Sequence, residues 1–128
     1  MIYSINFVQA QSCKFDKNGY KSVPWGHIRN SIDAGKVTKI KGTITAADEE
    51  PILTAQIVLY KFLKEKKIYV GSQEPNKKGE FCFGNLTKGT YVLEIGAGGF
   101  NSLEVELELA PKDKKAAGNL QISLEVGT

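Results

Sequence analysis

One histidine and two cysteines carry most of the reactive chemistry that this 128-residue chain offers. His27 could serve as a general base only beside a nucleophile and an orienting acid. The spacing of the serines and aspartates builds no such set, so His27 reads as a surface or arm-packing residue and a small hydrolase as a minor alternative. Cys13 and Cys82 lie far apart in sequence, and with a single histidine they form no metal-ligand cluster of the usual spacing. No metal and no cofactor is therefore expected. The glycines of Gly96-Ala97-Gly98-Gly99 lack both the spacing and the following helix of a phosphate-cradling loop, and read as a turn.

The cysteines carry a structural reading as well. Cys82 stands between Phe81 and Phe83, so in a strand its side chain points away from the face that the two rings share. If the N-terminal arm crosses that outer face, Cys13 can pair with Cys82 and close a long loop, which constrains the unfolded chain by about 4 kcal/mol. The competing reading is two free thiols, as in a cytosolic protein.

Binding candidates come from the arm. Tyr20 and Trp25, with His27 beside them, offer large rigid rings with polar tips, the kind of surface that takes a carbohydrate or a peptide. The alternative is that Trp25 packs against the core and anchors the arm. Glu104, Glu106 and Glu108 make an acidic stripe that reads as a solvated face, since calcium would need ligands from further loops. Lys61, Lys64, Lys66 and Lys67 form the densest cationic cluster and read as a solvated strand end and turn rather than a site for an anionic partner. A net charge of +3 with interleaved acids gives no reason to expect nucleic acid.

The elements that must position these residues are short and extended. Residues 11–36 hold Asn18-Gly19, Pro24, Gly26, Asn30 and Gly35 without sustained periodicity, and read as an irregular arm. From residue 37 the punctuation becomes regular. Ile40, Gly42 and Ile44 share a face; Ala55, Ile57 and Leu59 line a second strand, and a third runs from Ile68 to Ser72. Phe81 and Phe83 alternate with polar or small residues, as do Tyr91, Leu93 and Ile95 after the turn that ends in Gly89. Leu103, Val105, Leu107 and Leu109 alternate with glutamates, which marks a sheet with one wet face, and Leu120, Ile122, Leu124 and Val126 close the series. Seven short strands with turns between them predict an all-β, antiparallel sandwich over 37–128 behind an arm at 1–36.

A hydrophobic content of 41% and a length of 128 residues suit one domain with its own core. No apolar run approaches the roughly 20 residues of a membrane-spanning helix. Residues 1–10 are moderately apolar and end Val8-Gln9-Ala10, which reads either as the remnant of a signal peptide or as a first strand.

Several of these segments carry a resemblance. Ile40-Lys41-Gly42-Thr43-Ile44, the stretch from Glu50-Pro51 to Leu59, Gly79-Glu80-Phe81-Cys82-Phe83, Leu86-Thr87-Lys88-Gly89-Thr90-Tyr91-Val92-Leu93 and Gly99-Phe100 occur in the order found in carboxypeptidase regulatory-like domains. Residues 37–109 resemble that family, with one departure: Pro75-Asn76 stands where the family usually has a Thr-Asp pair before the glycine. The resemblance implies a transthyretin-like, Greek-key sandwich and a non-catalytic module for folding, spacing or weak binding of protein or carbohydrate at the cell surface. It also tilts the reading of residues 1–10 toward export, to the periplasm or beyond, with the cytoplasm as the alternative. Transthyretin-like folds include hydroxyisourate hydrolases, which rely on several histidines and a C-terminal Tyr-Arg-Gly-Ser; this chain has one histidine and ends Glu125-Val126-Gly127-Thr128. Related adhesin repeats join a lysine to an asparagine with a buried acid as catalyst; the corresponding position here is Ile95, so no such bond is expected. A fold this widely shared does not fix a function, and the oligomeric state stays open.

Overall fold

The computed structural model describes residues 13–18 and 30–127, which form an all-β structure of two packed sheets. Its strands are β1 (Asn30–Val37), β2 (Ile40–Thr45), β3 (Gln56–Leu63), β4 (Lys66–Gln73), β5 (Glu80–Phe83), β6 (Gly89–Gly96), β7 (Leu103–Leu109) and β8 (Leu120–Ser123). Five strands form one sheet in the order β1-β7-β6-β3-β4, and three form the other in the order β5-β2-β8.

Period-two alternation decides which residues meet between the sheets. β7 buries Leu103, Val105, Leu107 and Leu109 and leaves Glu106 and Glu108 in water. β2 buries Ile40, Gly42 and Ile44, and β8 buries Leu120 and Ile122. The alternating apolar residues from Ile40 to Leu124 are buried there, together with Val37, Ile52 and Ala97, whereas Val126, beyond the end of β8, is 68% exposed. Gly42 lies against the Leu120 backbone, where a Cβ would collide with its carbonyl, so β2 and β8 can pair only because this position lacks a side chain. Tyr91 is 1% exposed, and its hydroxyl donates to the Thr87 carbonyl at 2.6 Å, which pins the turn entering β6.

Two expectations need correction. The strands number eight among the described residues, not seven, because residues 30–37 form β1 instead of belonging to an irregular arm. A bulge between Asp33 and Gly35 hides this strand from a period-two reading: Gly35 has φ +72°, and its N–H donates to Asp33 Oδ1 at 2.9 Å. As the edge strand, β1 also turns few side chains inward, with only Val37 fully buried. Nor are the sheets purely antiparallel. β1 pairs in parallel with β7, and β2 with β8, while the other pairs are antiparallel. Alternation assigns a face to each residue and says nothing about strand direction.

The outer face of the larger sheet is not uniformly wet. Val58 and Tyr60 on β3 are buried there and pack with Tyr69 of β4 in a second apolar cluster. The connection between β3 and β4 is a two-residue hairpin turn in which Lys64 and Glu65 both adopt positive φ, 53° and 67°. No helix in the described residues is long and apolar enough to cross a membrane.

Candidate functional site at the strapped edge

The groups that converge most closely lie along one side of the sandwich, where β4 and β5 are edge strands of different sheets. Residues 13–18 run between them. Cys13 is joined to Cys82 of β5 by a disulfide, with Cα atoms 4.9 Å apart, and the Cys13 carbonyl accepts from the Gly84 N–H at 3.3 Å. Three residues on, Asp16 and Ser72 of β4 exchange two backbone hydrogen bonds of 3.0 and 2.9 Å, an isolated antiparallel bridge. Phe15, between these attachments, turns inward and meets Phe83 edge to face with ring centroids 4.8 Å apart. Gly71 makes room for it, since a Cβ there would strike the Phe15 ring. The segment is a strap fixed covalently to one sheet and by backbone hydrogen bonds to the other.

Gln73 completes the junction. Its amide oxygen accepts from the Cys82 N–H at 2.7 Å, and its amide nitrogen donates to the carbonyls of Cys82 at 2.9 Å and Lys14 at 2.7 Å. A side-chain amide thus does the work of a strand backbone where two sheet edges diverge, satisfying polar groups that would otherwise be left unpaired. Beside it lies an open, polar cleft of about 410 Å³, with Lys14, Lys41, Gln73, Glu80 and Asn119 in its lining.

A second polar cluster sits on the outer face of the larger sheet. Lys67 Nζ lies 2.7 Å from Glu94 Oε2 and 3.0 Å from Glu104 Oε2, and 5.5 Å from the centroid of the Tyr60 ring. Partial burial pushes the Lys67 pKa down, but the hydrogen bonds and charges of the two glutamates outweigh it and raise the pKa above its ordinary value of 10.5. Lys67 is therefore held as an ammonium ion, in a role unlike that of a proton acceptor or nucleophile.

Of the residues singled out in the sequence, the structure brings Cys13 and Cys82 together. Tyr20, Trp25 and His27 lie outside the described residues, as do residues 1–10. Glu104 leaves the acidic stripe to pair with Lys67, while Glu106 and Glu108 are exposed. Among the described residues, no group of three or more His, Cys, Asp or Glu side chains is placed to hold a metal ion. Phe15, Gln73 and the Lys67–Glu94–Glu104 cluster were not legible in the sequence. The one local hint was Gly71, a glycine inside a strand pattern, which marks a close approach by another group.

No family model matches the chain, and no curated protein matches it. Among solved structures it is similar to a hydroxyquinol 1,2-dioxygenase from Pseudomonas putida DLL-E4, at 9% identity and a TM-score of 0.48, covering 96% of this chain and 71% of that one. It is also similar to a 3-chlorocatechol 1,2-dioxygenase from Rhodococcus opacus 1CP, at 11% identity and a TM-score of 0.49, covering 99% of this chain and 79% of that one. Likenesses this distant do not bear on what the chain does.

Proposed function

We propose that the chain is a non-catalytic, exported module of the carboxypeptidase regulatory-like type, with a transthyretin-like Greek-key sandwich, that works by binding or by spacing at the cell surface. The observation that carries this reading is the Cys13–Cys82 disulfide. A disulfide between a peripheral segment and an edge strand persists in an oxidising compartment and is reduced in most cytosols. Two further observations support it. The convergent polar groups have structural occupations: Gln73 bonds three backbone groups, and Lys67 is neutralised between two carboxylates. The strap also closes the edge between the sheets, as befits a module that must survive without a reducing, chaperoned environment.

Fractionation of the native host tests the reading. The protein is expected outside the cytoplasm, in the periplasmic, surface or culture fraction. Recovery entirely from the cytoplasm overturns export, and with it the surface role.

A further inference from the structure

Among the described residues, the two ends of the sandwich carry opposite charge. Registers place four connections at one end: Val37 and Gly89 both pair with Leu109, Leu63 with Lys66, and Ile40 with Phe83. The 110–119 loop joins this end through the Lys36 and Ala117 carbonyls, which accept from Ala117 and Thr38. Exposed lysines populate every one of these connections: Lys39 after β1, Lys64 and Lys66 at the β3–β4 turn, Lys88 before β6, and Lys112, Lys114 and Lys115 after β7. Of the acids in these turns, Asp113 is within 3.8 Å of Lys36 and Glu65 is exposed, and on the strand ends beside them β7 adds exposed Glu108, in register with Lys36. The opposite end holds Asp48, Glu49 and Glu50 between β2 and β3, Glu74 between β4 and β5, and Glu125 after β8, against Lys77 and Lys78.

The cationic end also exposes apolar surface. Leu63 pairs with Lys66 and Lys61 with Ile68, so the four side chains share one face of the hairpin. Leu63 is 50% and Ile68 45% exposed. Apolar side chains at a projecting tip, ringed by long flexible ammonium chains, match an interface in which the former enter the headgroup layer and the latter stay at the phosphates. The described cations at this end are lysines, compact point charges suited to a diffuse anionic surface rather than to bidentate recognition of a single phosphate. The described turns at this end present no tyrosine, phenylalanine or tryptophan on which nucleic-acid bases would stack.

We propose that this end of the sandwich docks on an anionic lipid bilayer, with Leu63 and Ile68 entering the headgroup layer and the surrounding lysines neutralising lipid phosphates. The acidic opposite end is repelled by the same surface and fixes the orientation. This inference stands independently of the module reading above.

Co-sedimentation of the full chain with vesicles tests it, comparing phosphatidylcholine alone with a mixture containing about 30% phosphatidylglycerol. Binding to the mixture is expected to be at least about tenfold tighter and to be lost near 0.5 M salt, where the screening length falls to a few ångströms. A K64E/K66E variant should weaken binding more than about fivefold per lysine, because each reversal removes one attraction and adds a repulsion. L63S/I68S should also weaken it several-fold, whereas K77E/K78E at the far end should leave it within about twofold. All three pairs are exposed, and an unchanged melting temperature shows that each variant is folded. Equal binding to both vesicle types, or to neither, overturns the proposal. So does an L63S/I68S variant that binds like the parent, or K77E/K78E as damaging as K64E/K66E. Capture by soluble heparin without vesicle binding would also overturn it and assign the end to a soluble polyanion.

Discussion

Replacing Cys13 and Cys82 together by serine removes the covalent end of the strap and leaves its hydrogen-bonded end at Ser72 in place. The two cysteines are separated by 69 positions. On the loop-entropy relation, opening a loop of that length frees the unfolded chain by about 4 kcal/mol. The entropy of unfolding a chain of this size is near 0.27 kcal/mol per kelvin, so the loss corresponds to a fall in Tm of about 15 °C. Calorimetry of the parent and of C13S/C82S, each with and without reductant, measures it. The reduced parent should melt with the double variant, and reductant should not move the double variant at all. The single variants add a control, since each breaks the crosslink and should fall by the same amount. A double variant melting within about 3 °C of the oxidised parent would refute the reasoning, because it would mean that the strap is held as well without its covalent end.

Further outcomes follow from the same contacts. A Gly71→Val change thrusts side-chain atoms into the Phe15 ring and should destabilise by about 1–3 kcal/mol; because the strap is what it displaces, reduction of the disulfide by dithiothreitol should accelerate in parallel. Lys64 and Glu65 hold the left-handed conformation that Asn-Gly adopts with less strain, so K64N/E65G should raise Tm by about 4 °C, roughly 1 kcal/mol. Lys67 has a pKa raised in the folded state, so its contribution is present in full below the ordinary lysine value of 10.5 and is lost as pH rises through the folded value. The stability gap between the parent and K67M should therefore be flat from neutral pH to about 10 and should narrow above that, as followed by urea melts across the range.

How much of this was legible in the sequence depends on what made each feature. The inner faces of β2, β5, β7 and β8 were readable because none of these strands buries its outer side, and burial imposes a period of two on residues such as Leu103, Val105 and Leu107; β6 shows the alternation only in part, since Val92 is buried on the outer face as well. β3 reads less clearly, since Ile57, Val58, Leu59 and Tyr60 are buried on both faces and lose the alternation. β1 was lost to its bulge at Asp33 and Gly35, features that in isolation denote a turn. The disulfide was half visible. The outward aspect of Cys82 followed from its aromatic neighbours, but the course of the segment carrying Cys13 is set by tertiary contacts of Phe15 and Asp16 that leave no local pattern. Gln73 was invisible for a similar reason. A glutamine that caps two diverging sheet edges looks, in sequence, like any polar residue at a strand end. The charge asymmetry of the ends also needed the topology, because lysines far apart in the chain share an end only once the strands are paired.

The strap and the export reading are tested most directly by the thiol state of the protein as its own host makes it. Cells are quenched in acid, the unreduced protein is alkylated under denaturing conditions, and its intact mass and proteolytic map are recorded. No alkylation is expected before reduction, together with a peptide bearing Cys13 covalently joined to one bearing Cys82. Alkylation of both cysteines without reductant would contradict this, leaving the strap without its covalent anchor and the export reading without its support.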